Sequence, residues 1–208
     1  MTSPSSDVGT PETWAELTPL VRRAAALDPA TLVRLTNSSG VLTVWVALPF
    51  DVLASRTVPA PADGGDVDLA AAAAETLSWL DGASRDQPAR LDLLWRGSLP
   101  PRQGWQRLDL VPDSAIRDVV RAGAREIKSL GGTAPRREQA LLDSVVLTVA
   151  NDGGQAEITL RVVAALTRMG FLPRDSQAGV DVVGRWIRLT GTYGAVYAEQ
   201  PGAGLSVI

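Results

Sequence analysis

The chain contains no cysteine and no histidine, and this pair of absences limits how it can fold more than any other feature. Without thiols there is no disulfide framework, and without thiolates or imidazoles there is no Cys/His zinc site to staple a small fold. Stability must come from buried apolar surface. With 208 residues, 45% of them hydrophobic and 21% charged, the chain can build one generous core or two smaller ones. The same absences remove a cysteine nucleophile, a Ser-His triad and histidine-ligated haem. Carboxylates, hydroxyls, arginines and the one lysine, Lys128, remain. No acidic cluster has the spacing of glycosidase carboxylates or of an all-oxygen magnesium site. The expectation is therefore a non-enzymatic protein with no cofactor and no metal.

Short strand-forming runs bounded by turn residues alternate with helical periodicity, which points to an α+β fold. Its mixed, largely antiparallel sheets would be built of hairpins, with about four to five packed helices. Thr10-Pro11-Glu12 reads as a helix start, and Trp14, Leu17, Leu20, Val21, Ala24 and Leu27 keep helical spacing, with Pro19 a kink or a restart. Residues 32–36 and 41–48 read as a hairpin around Asn37-Ser38-Ser39-Gly40, and residues 52–58 as a third strand. The run from Leu69 to Leu80 reads as a helix because its alanines favour one. Residues 90–96 and 105–111 read as strands.

Beyond them, Ile116, Val119, Val120, Gly123, Ile127 and Leu130 mark the clearest amphipathic helix, ended by Gly131-Gly132. A short helix over 135–143, a hairpin around Asn151-Asp152-Gly153-Gly154 and a helix over 160–169 follow. The run 180–189 with 193–199 reads as one terminal hairpin. Trp45, Ile116, Val120 and Ile127 are expected in the core. No internal sequence repeat emerges. The expected organisation is a disordered tail over 1–10, an α+β half over 11–111, a second over 112–200 and a frayed tail over 201–208.

The N-terminus carries no basic residue before Arg22, which is unlike a secretory signal, and the most apolar run, Val41 to Phe50, is too short to span a bilayer. A cytoplasmic protein without a membrane segment is expected. Net charge is −3, yet residues 1–84 carry ten acids against four arginines, while residues 85–138 carry eleven basic residues against seven acids. Within that basic middle, Trp95 and Trp105 with Arg96 and Arg102 frame a loop stiffened by Pro100-Pro101. Arg117, Arg121 and Arg125 recur every four residues on one helix face, where like charges repel. Rigid aromatics and planar guanidiniums are what binding hot spots are made of.

Arg96, Arg102, Trp105, Arg117, Arg121 and Arg125 are therefore the candidate binding residues, for an acidic or phosphate-bearing protein partner or for self-association. The competing reading pairs these arginines internally with the acidic N-terminal half. A small-ligand pocket or cryptic enzyme is a further alternative. A helix over 160–169 followed by strands over 180–199 has the order of a winged helix, but a mostly apolar helix and an acidic pI of about 5.0 argue against nucleic acid.

The segments Trp95-Arg96-Gly97 with Pro100-Pro101 and Gly104-Trp105, Arg168-Met169-Gly170-Phe171, and Gly184-Arg185-Trp186 resemble parts of proteins from high-GC actinobacteria that have no assigned activity. The near-exclusive use of arginine over lysine fits such a genome. The resemblance implies a lineage-restricted bacterial protein and carries over no catalytic residue or cofactor.

Overall fold

The computed structural model describes residues 11–200 except 39, 50, 61–65, 85 and 133. The tails expected over 1–10 and 201–208, and the Thr10 cap, lie outside the described residues. The chain divides between Ser98 and Leu99 into two compact units, and Val111 falls inside a strand of the second.

In the first unit, helix α1 (Pro11–Leu27) runs through Pro19 without a break and leads into strands β1 (Leu32–Ser38), β2 (Val41–Leu48) and β3 (Val52–Pro59), an antiparallel meander. Gly40 turns the first hairpin at φ 74°, a conformation that glycine adopts without steric penalty. A fourth strand, β4 (Val67–Ala72), pairs antiparallel with β1, giving the order β4-β1-β2-β3, and continues directly into helix α2 (Ala73–Leu80). The helix expected over 69–80 is thus half strand: Leu69 to Ala72 extend to complete the exposed edge of β1, and this pairing overrides the helical preference of alanine.

Val33, Leu35, Val44, Val46 and Ala54 face α1 and α2 and are fully buried. Trp14 and Trp79 join the two helices edge to face, with ring centroids 5.2 Å apart. Trp45 alternates to the opposite sheet face, where it is half-buried and its indole nitrogen donates to Thr36 Oγ1 at 3.1 Å. The sequence led us to expect Trp45 in the core, and the structure instead leaves it half-buried on the sheet face away from the helices.

Residues 90–96 are not a strand. They form a strap along β4 with a 3-10 turn at Asp92–Leu94. Leu91 N–H donates to Ala70 O at 2.7 Å, and Asp92 Oδ1 accepts from Ala70 N–H at 2.7 Å, so a carboxylate stands where a neighbouring strand would place a carbonyl. This covers part of an edge that would otherwise present bare backbone groups.

The second unit begins with β5 (Gln106–Pro112), which enters α3 (Asp113–Ser129) directly. Helix α4 (Pro135–Leu142) and the two-stranded ribbon β6 (Val145–Asn151) and β7 (Gly154–Thr159) follow, then α5 (Leu160–Arg168) and the meander β8 (Gln177–Val183), β9 (Trp186–Gly191) and β10 (Gly194–Glu199). Here the sequence reading merged β8 and β9. Gly184, at φ 53°, turns the chain between them.

The sheet order is β10-β9-β8-β5, again with a strand that leads into a helix paired to the first strand of a meander. Each unit therefore combines a helix–meander and a strand–helix, α1-β1-β2-β3 with β4-α2, and α5-β8-β9-β10 with β5-α3, in opposite chain order. This is a repeat of architecture without a repeat of sequence. Five α-helices and ten strands among the described residues give the α+β, antiparallel class that the sequence predicts.

Ile158, Val163, Leu166, Val180, Ile187, Leu189 and Val196 close the second core, with Gly123 admitting α3 close to Leu160. Of the α3 stripe, Ile116 is fully buried while Val120 and Ile127 are only half-buried.

Candidate functional site

Alternation along the strands of the second unit puts Ile187 and Leu189 on the helix-covered face and Arg188 on the other. The strand register then aligns one residue from each strand in a transverse row: Arg107 opposite Asp181, Asp181 opposite Arg188, and Arg188 opposite Tyr197. An aspartate in the apolar run Ala178 to Val183 must find a partner when buried. Asp181 has two.

Its side chain is 3% exposed and is gripped by Arg107 through Nε and by Arg188 Nε at 3.0 Å, with Thr190 Oγ1 at 3.4 Å. The arginines form the outer layer, 47% and 24% exposed. Gly179 is the bed for Arg107: a Cβ there would overlap the guanidinium carbon. Trp105 lies under Arg188, with the guanidinium 4.4 Å from the ring centroid, and meets Tyr197 edge to face at 5.8 Å. Its Nε1 donates to Pro101 O at 2.8 Å, which ties the Pro100-Pro101 loop to the aromatic pair.

The first unit carries a related pairing. Arg34 clasps Asp68 with two bonds of 2.6 and 2.7 Å and lies 5.7 Å from the Trp95 ring centroid. Its bond to Asp68 raises the Arg34 pKa above the ordinary value. Arg90 reaches Asp68 O and Asp92 Oδ2 at 2.6 and 2.8 Å, completing the strap.

The six candidates from the sequence are dispersed. Arg96 belongs to the first unit, is exposed and makes no ion pair among the described residues. Arg102 is exposed in the loop before β5. Trp105 joins the transverse row through Arg188 and Tyr197.

Arg117 is committed internally: Nε donates to Asp113 Oδ2 at 2.9 Å and Nη2 to Leu172 O at 2.6 Å. Arg121 pairs with Asp118 one turn away, while Arg125 and Lys128 are exposed on α3 without an ion pair among the described residues. The carboxylates that pair with Arg117 and Arg121 come from their own helix, while the Leu172 carbonyl lies outside it.

The sequence reading missed Arg107, Asp181 and Arg188. The signal was present in the lone acid of an apolar strand and an arginine seven residues on, across a turn marked by Gly184-Arg185.

A shallow, open groove of about 390 Å³ lies among α3, α4, β6 and the start of α5, lined by Val119, Ala122, Gly123, Leu141, Val146 and Leu160 with Glu126 at its wall. Among the described residues, no three carboxylates gather to hold a metal, and no helix is long and apolar enough to cross a membrane.

The fold is similar to that of bacterial DNA polymerase sliding clamps. The DNA polymerase III subunit beta from Pseudomonas aeruginosa matches with a TM-score of 0.61 at 13% identity, over 91% of this chain and 63% of that one. The beta subunit from Thermotoga maritima gives 0.58 at 11%, over 97% and 65%. The sliding clamp from Caulobacter crescentus gives 0.59 at 12%, over 93% and 64%. The chain spans less than two thirds of the length of each. No curated protein matches.

Residues 1–97 match the family described as Domain of unknown function (DUF8010), so the two family matches fall on the two units. With residues 100–203, half of its length, matching the second model, the chain belongs to the family described as Domain of unknown function (DUF8185).

Proposed function

We propose that this chain is a non-enzymatic interaction protein of a bacterial cytoplasm, from a high-GC actinobacterium, that docks an acidic partner on arginines and tryptophan of its second unit. The observation that carries the reading is the clamp-like fold, which extends over 91–97% of the chain. The solved structures that share it are named as subunits of a polymerase, and a subunit acts by contact with other subunits. The preference for an acidic partner follows from the cations that face solvent: Arg121, Arg125 and Lys128 along α3, and Arg107 and Arg188 on the sheet. Planar guanidiniums offer paired donors to carboxylates.

Capture on immobilised polyglutamate tests this. The full chain should bind at low salt and elute as ionic strength rises, because opposed surface charges are screened beyond about 10 Å at 0.1 M. An Arg121→Glu, Arg125→Glu double variant should stay folded and bind less. Indifference of the wild-type chain to polyglutamate at low salt rejects the reading.

A competing reading takes from the same likeness a contact with DNA, since the matched structures are DNA polymerase subunits. Filter binding to duplex and single-stranded DNA decides between them. Retention that falls steeply with salt, as counterion release requires, would favour DNA.

A further inference from the structure

We propose that the outer face of the second unit's sheet is a carboxylate-recognition site for an acidic peptide segment, with Arg107 and Arg188 as receptors and Trp105 as the platform that holds Arg188. This rests on the acidic-partner reading above and gives it a defined site.

Two guanidiniums share a single carboxylate, so the row Arg107-Asp181-Arg188 carries a net positive charge. The carboxylate is the buried member. A purely internal pairing needs one arginine; the second is surplus to the burial of Asp181.

The donors left over are defined. Arg188 spends only Nε on Asp181, and neither of its terminal nitrogens bonds any other described residue. Arg107 spends Nε and Nη2, which leaves Nη1.

These groups are also fixed in place. Asp181 holds both guanidiniums from beneath, Trp105 stacks against one, and Gly179 leaves a flat bed for the other. Ordering a long side chain before binding removes an entropy penalty that a free surface arginine suffers during binding. Leftover donors on two guanidiniums, one stacked on a half-buried indole and the other lying over Gly179, match the carboxylates of an acidic peptide.

The test is fluorescence anisotropy with a labelled hexaglutamate peptide and its hexaglutamine analogue, on the full chain at low salt. The wild-type chain should bind the glutamate peptide and not the glutamine one. Arg188→Gln and Arg107→Gln should each raise Kd by about ten-fold, with far-ultraviolet circular dichroism unchanged. A Trp105→Leu variant should weaken binding in the same direction by loosening Arg188.

The α3 double variant separates this site from the broader reading. Loss of binding in that variant together with wild-type affinity in Arg188→Gln and Arg107→Gln overturns the site and leaves the acidic-partner reading standing. Equal binding of the glutamine peptide overturns the site as well. Displacement of the peptide by single-stranded DNA at lower concentration than by unlabelled peptide would overturn the choice of a peptide. Should Arg188→Gln lose its fold, a conservative Arg188→Lys retaining charge but not the planar fork should still bind several-fold more weakly.

Discussion

Arg188 lies 4.4 Å above the Trp105 ring centroid while its Nε donates to the buried Asp181 carboxylate, so one side chain joins the edge of the Pro100-Pro101 loop to the middle of the sheet. A lysine at position 188 would keep the charge but reach Asp181 with a single ammonium and lose the planar stack. Arg188→Lys should lower stability by about 1 kcal/mol, read as a shift in the urea midpoint with an unchanged slope. A wild-type midpoint would show that stacking and the Nε bond contribute nothing.

Gly179 provides a sharper test of the same row. A methyl group there overlaps the guanidinium of Arg107 rather than backbone, so the arginine can swing away and the strand can stay. Gly179→Ala should fold, lose the Arg107–Asp181 contact and melt a few degrees lower, a loss of about 1 kcal/mol given that Arg107 is half-exposed. Arg107→Gln in the Gly179→Ala background should then have almost no further effect. Additive losses in the double variant would show that the two residues are not coupled.

Gly123 is constrained in a different way. Its missing Cβ would lie 2.5 Å from Leu160 Cδ2, at the closest approach of α3 to the start of α5. Gly123→Ala gains helix propensity but overfills the contact, and the net result should be a loss of about 1–3 kcal/mol. Leu160→Ala costs stability by itself, since Leu160 is buried, but its cost in the Gly123→Ala background should be smaller than in the wild-type chain, because the methyl groups compete for one space. A stabilised Gly123→Ala would mean that Leu160 moves aside freely.

The fold class was legible because local signals agreed with the final contacts. Gly40 sits between two runs of β-branched residues, and the α3 stripe ends at Gly131-Gly132, which both adopt positive φ. The failures are places where a distant partner decides. Val67 to Ala72 become a strand only because β1 offers an edge, and alanines that prefer helix in isolation accept it.

The strap over 90–96 has strand-like composition but is tied down by one carboxylate and one amide. The transverse row of the second sheet was legible only in part for the same reason. Trp105 was found from its local company, whereas Arg107, Asp181 and Arg188 become neighbours only through the register of β5, β8 and β9. A stripe of arginines on α3 is visible in sequence, but that Arg117 turns inward to Leu172 O is not.

The strap makes the first unit sensitive to acid in a defined direction. The Ala70 N–H donated to Asp92 is the chief reason that this carboxyl titrates below its ordinary value, and the Arg90 bond adds to it. Because protonation is harder in the folded chain, ionised Asp92 stabilises the fold above the unfolded aspartate value of about 3.9. That contribution is lost as pH falls through the depressed folded value.

Asp92→Asn keeps one acceptor for Ala70 but removes the charge that Arg90 and Arg34 feel. The wild-type chain should therefore melt above the variant near neutral pH, and the gap should narrow as the solution is taken below about pH 4. Arg90→Gln should reproduce part of the neutral-pH loss, because it removes the second cause of the shift. Amide exchange at Ala70 reads the strap directly: its protection should fall in Asp92→Asn while that of Val44 in the central strand does not. A melting gap that stays constant from neutral to acid would show that Asp92 holds the strap by shape and not by its ionised form.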